Sequence, residues 1–275
     1  MRATNYRKAL AEKERRLREI IRDAAGSEAR VIVAFSGGVD SSLLLWESVQ
    51  AVGRDRVLAV TAVSPTSFSE EGRSARHLAE KLNVEHLVVE SGECSDASFV
   101  RNPPDRCYVC KRIRYRLLRS MAEANGSVVL DGTQADDDPE DRPGMRALEE
   151  LAVPSPLAEA GIGKEEVRDL LRNAGFPDLA DKIAQPCLAT RLPTGTRITL
   201  DALEMVQRAE SFLRECGLRI MRVRHHLPMA RIVTDREGMN LILTRPELRG
   251  RITRRLNEIG YEHVTLDLEE YGKQE

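Results

Sequence analysis

The chain has 275 residues, 41% apolar and 31% charged, which suits a globular protein of one large domain or of two smaller ones. A net charge of −2 gives no general pull toward nucleic acid or anionic membrane, and no window approaches the length of an apolar membrane span. The charged N-terminus lacks a signal core, and an odd count of five cysteines points to a reducing, cytoplasmic setting with metal or catalytic use rather than a disulfide framework.

Tyr6–Ala25 reads as a charged amphipathic helix. The strand-like run Val31–Phe35 then meets Ser36, Gly37 and Gly38, followed by Asp40, Ser41, Ser42 and the apolar helix formers Leu43 to Leu45. Strand, glycine turn and helix start together set free backbone N–H groups and the positive helix end against a phosphate. The two glycines admit close backbone approach. Ser36, Ser41 and Ser42 add hydroxyl donors, and Asp40 can hold the magnesium ion (Mg2+) that accompanies nucleotide phosphates. No Lys follows the turn, so this is not a Walker-type loop. The bland alternative is a tight turn with incidental serines; the pattern reads instead as an ATP site. The SGGVDS string resembles the PP-loop of ATP pyrophosphatases, which cleave ATP to AMP and pyrophosphate.

Further strands are expected at Val57–Val63, His86–Val89 and Val128–Leu130, separated by helical patterns at Ser41–Ala51, Ser69–Lys81 and Lys111–Ala124. This alternation predicts a doubly wound parallel α/β sheet with ligands at the strand C-terminal ends. Asp131 to Asp138 lies at such an end, which makes Gly132 and Asp136 candidate nucleotide contacts. Asp138 to Pro143 reads as an exposed loop and Lys164 to Asn173 as a helix. Pro186, Pro193 and Gly195 mark a linker, so residues 1–185 are expected to form the ATP domain and 186–275 a small α+β domain. Its pattern is helix Leu200–Glu215, strands Ile220–His225 and Ala230–Thr234, helix Pro246–Ile259 and strand His263–Leu268.

Cys107 and Cys110 follow Asp105, a plausible N-cap, so both fall in the first turns of a helix and share one face. The helix end and nearby Arg106, Lys111 and Arg112 favour thiolates. Cys187 stands alone after Pro186. A C-x-x-C by itself leaves redox pair, zinc half-site and cluster half-site open, while Cys94 and Cys216 read as structural thiols. Arginines cluster at Arg112, Arg114, Arg116 and Arg119, at Arg222 and Arg224, and at Arg251, Arg254 and Arg255, which leaves a local anion site open.

SGGVDS, Arg106–Lys111, Gly132–Asp137, Arg142–Arg146, Ser155–Leu157, Pro186–Arg191 and Arg222–Arg224 occur in that order. Together they resemble the LarE family, ATP-dependent sulfur transferases of nickel-pincer cofactor synthesis. The resemblance implies a small-molecule substrate, pyridinium-3,5-biscarboxylic acid mononucleotide, a homo-oligomer, and no nucleic-acid or membrane partner. One branch of that family sacrifices a single cysteine, matching Cys187, and leaves dehydroalanine. The other has three cysteines carrying a 4Fe-4S (four-iron four-sulfur) cluster, and this chain has all three positions, Cys107, Cys110 and Cys187. Competing readings are a PP-loop tRNA thiolase, which usually carries a basic surface, an amidating synthetase, which needs no cysteine trio, and a nucleotide-binding protein with structural zinc.

Arg222 and Arg224 alternate on a predicted strand and share a face that suits a substrate phosphate or carboxylate; an exposed strand face is the alternative. Lys111 and Arg191 flank the cysteines and, with Cys187 and Glu210, form the candidate catalytic set. Ordinary surface charge is the competing reading for Lys111, Arg191 and Glu210. Asp136 and Asp137 read either as neighbours of the magnesium site or as loop charges.

Overall fold

The computed structural model describes residues 2–271 apart from 68, 139, 141 and 184, so part of the expected 138–143 loop lies outside the described residues. Two compact units emerge. One comprises Met1–Ser64, Ser69–Glu93 and Asp105–Gln185; the other comprises Pro65–Phe68, Cys94–Pro104 and Pro186–Glu275.

The first unit begins with α1 (Arg2–Ala25), β1 (Val31–Ala34), α2 (Val39–Val52), β2 (Val57–Val63), α3 (Ser69–Leu82) and β3 (Glu85–Glu90). After α4 (Ala97–Val100), which belongs to the second unit, it continues with α5 (Arg106–Ala124), β4 (Val128–Leu130), α6 (Met145–Glu150), α7 (Pro156–Glu159), α8 (Lys164–Asn173) and α9 (Pro177–Ala180). The strands form a parallel sheet in the order β3-β2-β1-β4, with Val31 opposite both Val57 and Val128. Side chains alternate across this sheet. Val31, Val33, Val57, Ala59 and Leu130 join one core with Leu17, Leu44 and Leu171 of α1, α2 and α8. Ile32, Leu58, Val60 and Val129 join another with Tyr115, Leu118 and Leu148 of α5 and α6. Burial on both faces is why these strands read as unbroken apolar runs, and it makes the sheet doubly wound. The edge strand β3 differs: Leu87 and Val88 are exposed.

The second unit contains α10 (Leu200–Glu215), β5 (Met221–His226), β6 (Met229–Thr234), α11 (Arg236–Thr244), α12 (Pro246–Ile259) and β7 (His263–Leu266). Thr199 caps α10 by accepting the Ala202 N–H at 3.2 Å. β5 pairs antiparallel and β7 parallel with the central β6, giving a small mixed sheet. Helix α11 is absent from the sequence expectation. Its Gly238 lowers helix propensity, but a Cβ there would run into the Thr234 hydroxyl, so close packing demands the glycine.

In the first unit α1 and α2 meet through Arg18 and Glu47, 2.6 Å apart, with the Glu47 side chain nearly fully buried. Burial pushes the Glu47 carboxyl up to about 7 although Arg18 opposes the shift. Between the ordinary carboxylate range and that value the folded chain holds a proton that the unfolded chain has released. Stability therefore falls as pH rises through this window. Glu47→Gln should flatten that decline, measured by thermal melts at about pH 5 and about pH 8. A decline as steep as in the parent chain would assign the pH dependence to other groups.

Candidate active site

In the first unit the turn after β1 is shaped by Gly37, whose φ is +73° and whose Cβ, if it had one, would stand 3.0 Å from the Ala75 nitrogen. The Ser36 and Ser41 hydroxyls lie 3.1 Å apart, and Ser41 Oγ donates to the Gly38 carbonyl at 3.2 Å. The first helical bond of α2 runs from Ser42 N–H to the Gly38 carbonyl, so the N–H groups of Val39, Asp40 and Ser41 precede it. Ser42 is fully buried, and its hydroxyl has no hydrogen-bond partner among the described residues. Free amides, an orphaned hydroxyl and a positive helix end fit an anion. Gly132 closes in from β4: a Cβ there would stand 3.2 Å from the Ser41 nitrogen.

Burial, and after it the Asp137 carboxylate, push the Asp40 carboxyl upward, against the opposing pull of Arg142, Lys164 and Arg168. Such a carboxylate pair suits a hard divalent cation. Asp137 is buried, paired with Arg142 at 2.9 Å, and accepts the Gln134 N–H at 3.1 Å. Asp136 serves another end: its Oδ2 accepts the Lys164 N–H at 2.7 Å at the start of α8. Among the described residues no group of three His, Cys, Asp or Glu side chains is gathered as a metal site.

Cys107 and Cys110 lie one turn apart on α5, the first exposed and the second half-buried. Asp105 holds the N-cap position without a side-chain cap bond; its carboxylate lies 3.6 Å from Arg146. Arg146 also stacks over Tyr108, 3.7 Å from the ring centroid, which ties the Arg142–Arg146 segment to the start of α5. Lys111 lies 3.2 Å from the buried Asp131, which also accepts bonds from Tyr115 and Thr133. Burial alone would raise the Asp131 carboxyl, but Lys111 and these donors hold it below its ordinary value. Cys110 Sγ is 3.9 Å from Oε1 of Glu93, a fully buried carboxylate bonded to Arg114 Nε at 3.1 Å. Sequence reasoning missed Asp131 and Glu93; each is the carboxylate that keeps a helix-borne cation in place.

In the second unit Cys187 opens a short 3-10 turn, Leu188–Arg191. Arg191 is 1% exposed and is neither solvated nor a surface charge. Its Nε and one terminal nitrogen donate to the two Glu210 oxygens at 2.8 and 3.0 Å. The other terminal nitrogen donates to the carbonyls of Pro186 and Cys187 at 2.6 and 3.1 Å and to Thr190 Oγ1 at 2.9 Å. Glu210 in turn accepts the Val223 N–H of β5 at 3.0 Å. Arg224 donates to the Thr190 carbonyl at 3.0 Å. Arg222 is buried, donating to the Met221 carbonyl at 2.7 Å and to Tyr271 Oη at 3.1 Å. Burial, and next the Arg191 charge, pull its guanidinium below the ordinary arginine value. Arg191, Arg222 and Arg224 thus gather around Glu210 and the Cys187 turn.

The profile of the NAD synthase family matches residues 10–138. The chain is 38% identical over 240 residues to the pyridinium-3,5-bisthiocarboxylic acid mononucleotide synthase of Lactiplantibacillus plantarum, spanning 87% of this chain and 86% of that one. An uncharacterized protein of Synechocystis sp. is 38% identical over 254 residues, 92% of this chain and 94% of its own. The NH(3)-dependent NAD(+) synthetase of Pyrobaculum aerophilum is 30% identical over 180 residues, 60% of this chain and 62% of that one.

Removing one partner of a buried ion pair leaves an uncompensated charge, so Glu210→Ala should destabilise the chain by about 3–5 kcal/mol. Denaturant unfolding measures this. Arg191→Met with Glu210→Leu should recover much of the loss, because it removes both charges. A Glu210→Ala loss below about 1 kcal/mol would mean that water replaces the carboxylate.

Proposed function

The chain belongs to the LarE family of pyridinium-3,5-bisthiocarboxylic acid mononucleotide synthases, and from that membership we propose an ATP-dependent sulfur transferase acting on pyridinium-3,5-biscarboxylic acid mononucleotide in the cytoplasm, as a homo-oligomer. A substrate carboxylate oxygen attacks the α-phosphorus of ATP, and pyrophosphate leaves with the electrons of the broken P–O bond. A sulfur nucleophile then adds to the acyl carbon and AMP leaves, so oxygen is exchanged for sulfur without net oxidation. The observation that carries this reading is the Cys187 turn: Arg191 of that turn pairs with Glu210, Arg224 donates to its Thr190 carbonyl, and Arg222 feels the charges of both Arg191 and Glu210. Guanidiniums at such a turn suit a substrate with one phosphate and two carboxylates.

Ser36, Gly37, Gly38, Ser41, Ser42 and Gly132 take the nucleotide, and Asp40 takes its magnesium. Asp136 acts indirectly, by ordering the start of α8. Arg222 and Arg224 bind substrate anions, Arg191 and Glu210 position Cys187, and Lys111 is held by Asp131 for a carboxylate or thiolate. Cys107, Cys110 and Cys187 stand outside any disulfide, as iron ligands must, and we assign them as ligands of a 4Fe-4S cluster. Such a cluster, when bound by three cysteines, supplies an open iron for an extra sulfide. An amidating synthetase is disfavoured because the similarity to the NAD synthetase spans 62% of that enzyme, against 86% of the thiocarboxylate synthase. A tRNA thiolase is disfavoured by the near-neutral net charge.

Two experiments test this. Asp40→Asn should lose most substrate-dependent pyrophosphate release while its melting temperature holds; unchanged release would remove Asp40 from the metal site. After anaerobic purification, changing any of Cys107, Cys110 or Cys187 to Ala should strip most iron and acid-labile sulfide, whereas Cys94→Ala and Cys216→Ala should not. A stoichiometric loss of about 34 Da at Cys187 after turnover, with Cys107→Ala still active, would establish sacrifice of that cysteine instead, a carbon–sulfur cleavage outside the thiol oxidation ladder.

A further inference from the structure

Asp137 is held in two ways that differ in how readily they can be undone. Gln134 grips it from within: its N–H donates to Oδ2 at 3.1 Å and its Nε2 donates to Oδ1 at 3.0 Å. These donors are neutral and leave the charge in place. Arg142 meets the same Oδ1 at 2.9 Å from the solvent side, with 58% of its side chain exposed against 3% for Asp137. The Arg142 backbone is fixed in a turn, its N–H donating to the Asp138 carbonyl and its carbonyl accepting the Met145 N–H, each at 2.9 Å. Swinging the exposed guanidinium away therefore unpacks little, while the carboxylate stays where Gln134 sets it. A buried carboxylate left without a cation is costly, whereas an exposed guanidinium gives up an ion pair cheaply. Such a pair is suited to changing its cation, not to losing it.

We propose that Arg142 is the counter-ion of Asp137 in the metal-free chain and yields this carboxylate to the divalent cation, taking a nucleotide phosphate oxygen in exchange. The inference rests on the ATP reading given above and adds a residue to it. Asp137 and Arg142 both act on the Asp40 carboxyl, one raising and the other lowering its proton affinity, so the guanidinium lies within reach of the phosphate loop's field. Carboxylate oxygens suit a hard dication, and a guanidinium fork suits phosphate. Each charge keeps a partner before and after the exchange, so metal and nucleotide can enter together without leaving a buried charge bare.

Calorimetric titration of the intact chain, first with divalent manganese alone and then with ATP in saturating magnesium, tests the exchange. Arg142→Met should bind manganese at least about fivefold tighter, because the competing charge is gone. The same variant should bind ATP at least about fivefold more weakly, because a phosphate contact is gone. A damaged fold would weaken both ligands, so opposite changes from one substitution separate the exchange from a structural role. Adding Asp137→Asn to Arg142→Met should cancel the manganese gain. Losses for both ligands, no change in either, tighter manganese with unchanged ATP, or a gain that survives Asp137→Asn would each overturn the proposal. Should Arg142→Met fail to fold, Arg142→Gln carries the same comparison. A parent chain that binds neither manganese nor ATP would sink the sulfur-transfer reading itself, whereas normal parent binding with an indifferent variant sinks Arg142 alone.

Discussion

A guanidinium with only 1% of its residue surface exposed must place its charge and its five donors inside the protein, and Arg191 does so by gathering the turn that carries Cys187. Glu210 neutralises the charge, and the carbonyls of Pro186 and Cys187 take donors that would otherwise be orphaned. A hydrophobic pair of similar volume would give equal or better stability at such a place. The ion pair instead gives direction: a planar fork fixes two carbonyls and a carboxylate at once, and a lysine could not. Glu210 ties that fork to β5 through Val223, so the turn and the strand bearing Arg222 and Arg224 move as one piece.

The first unit handles charge differently. Its loop offers backbone dipoles and hydroxyls, which favour an anion but bring no full charge. Full charges stand elsewhere, on α8 and at Arg142. Asp40 feels both these cations and the Asp137 carboxylate, and burial together with that carboxylate raises the proton affinity of Asp40. A loop of this design depends on distant parts of the chain being folded before it can hold phosphate well.

Much of this was legible in the sequence. β-branched runs identified all four strands of the parallel sheet, and the glycine pair marked the tight turn after β1, where Gly37 has a φ of +73°. What escaped was contact between distant residues. Asp131 looked like one acid among several, yet it is the one that meets Lys111 among the described residues, while Asp136, singled out for the nucleotide, also orders the start of α8. Helix α11 was hidden because Gly238 argues against a helix unless the close approach of Thr234 is known. Glu210 was more legible than it looked. Leu203, Val206, Ala209 and Leu213 define the buried stripe of α10, and Glu210 falls on it four residues after Val206. A carboxylate inside an apolar stripe requires a buried cation, and that requirement was readable from spacing alone.

Local density of charge in a sequence is a poor guide to where anions bind. The arginines of α5 form a dense run, but Arg114 is spent on Glu93, Arg119 on Glu123 and the Leu151 carbonyl, and Arg112 on Tyr108. They anchor the helix that presents Cys107 and Cys110. Arg222, between Met221 and Val223, instead feels both Glu210 and Arg191 in a buried setting where charge is poorly screened. Field at a point depends on the balance of charge around it and on the dielectric, not on the count of arginines along the chain. With a net charge of −2 the chain has no general positive field, so any local one depends on how its cations are placed, as at the Cys187 turn, where Arg191 is held against Glu210 and Arg222 feels both charges.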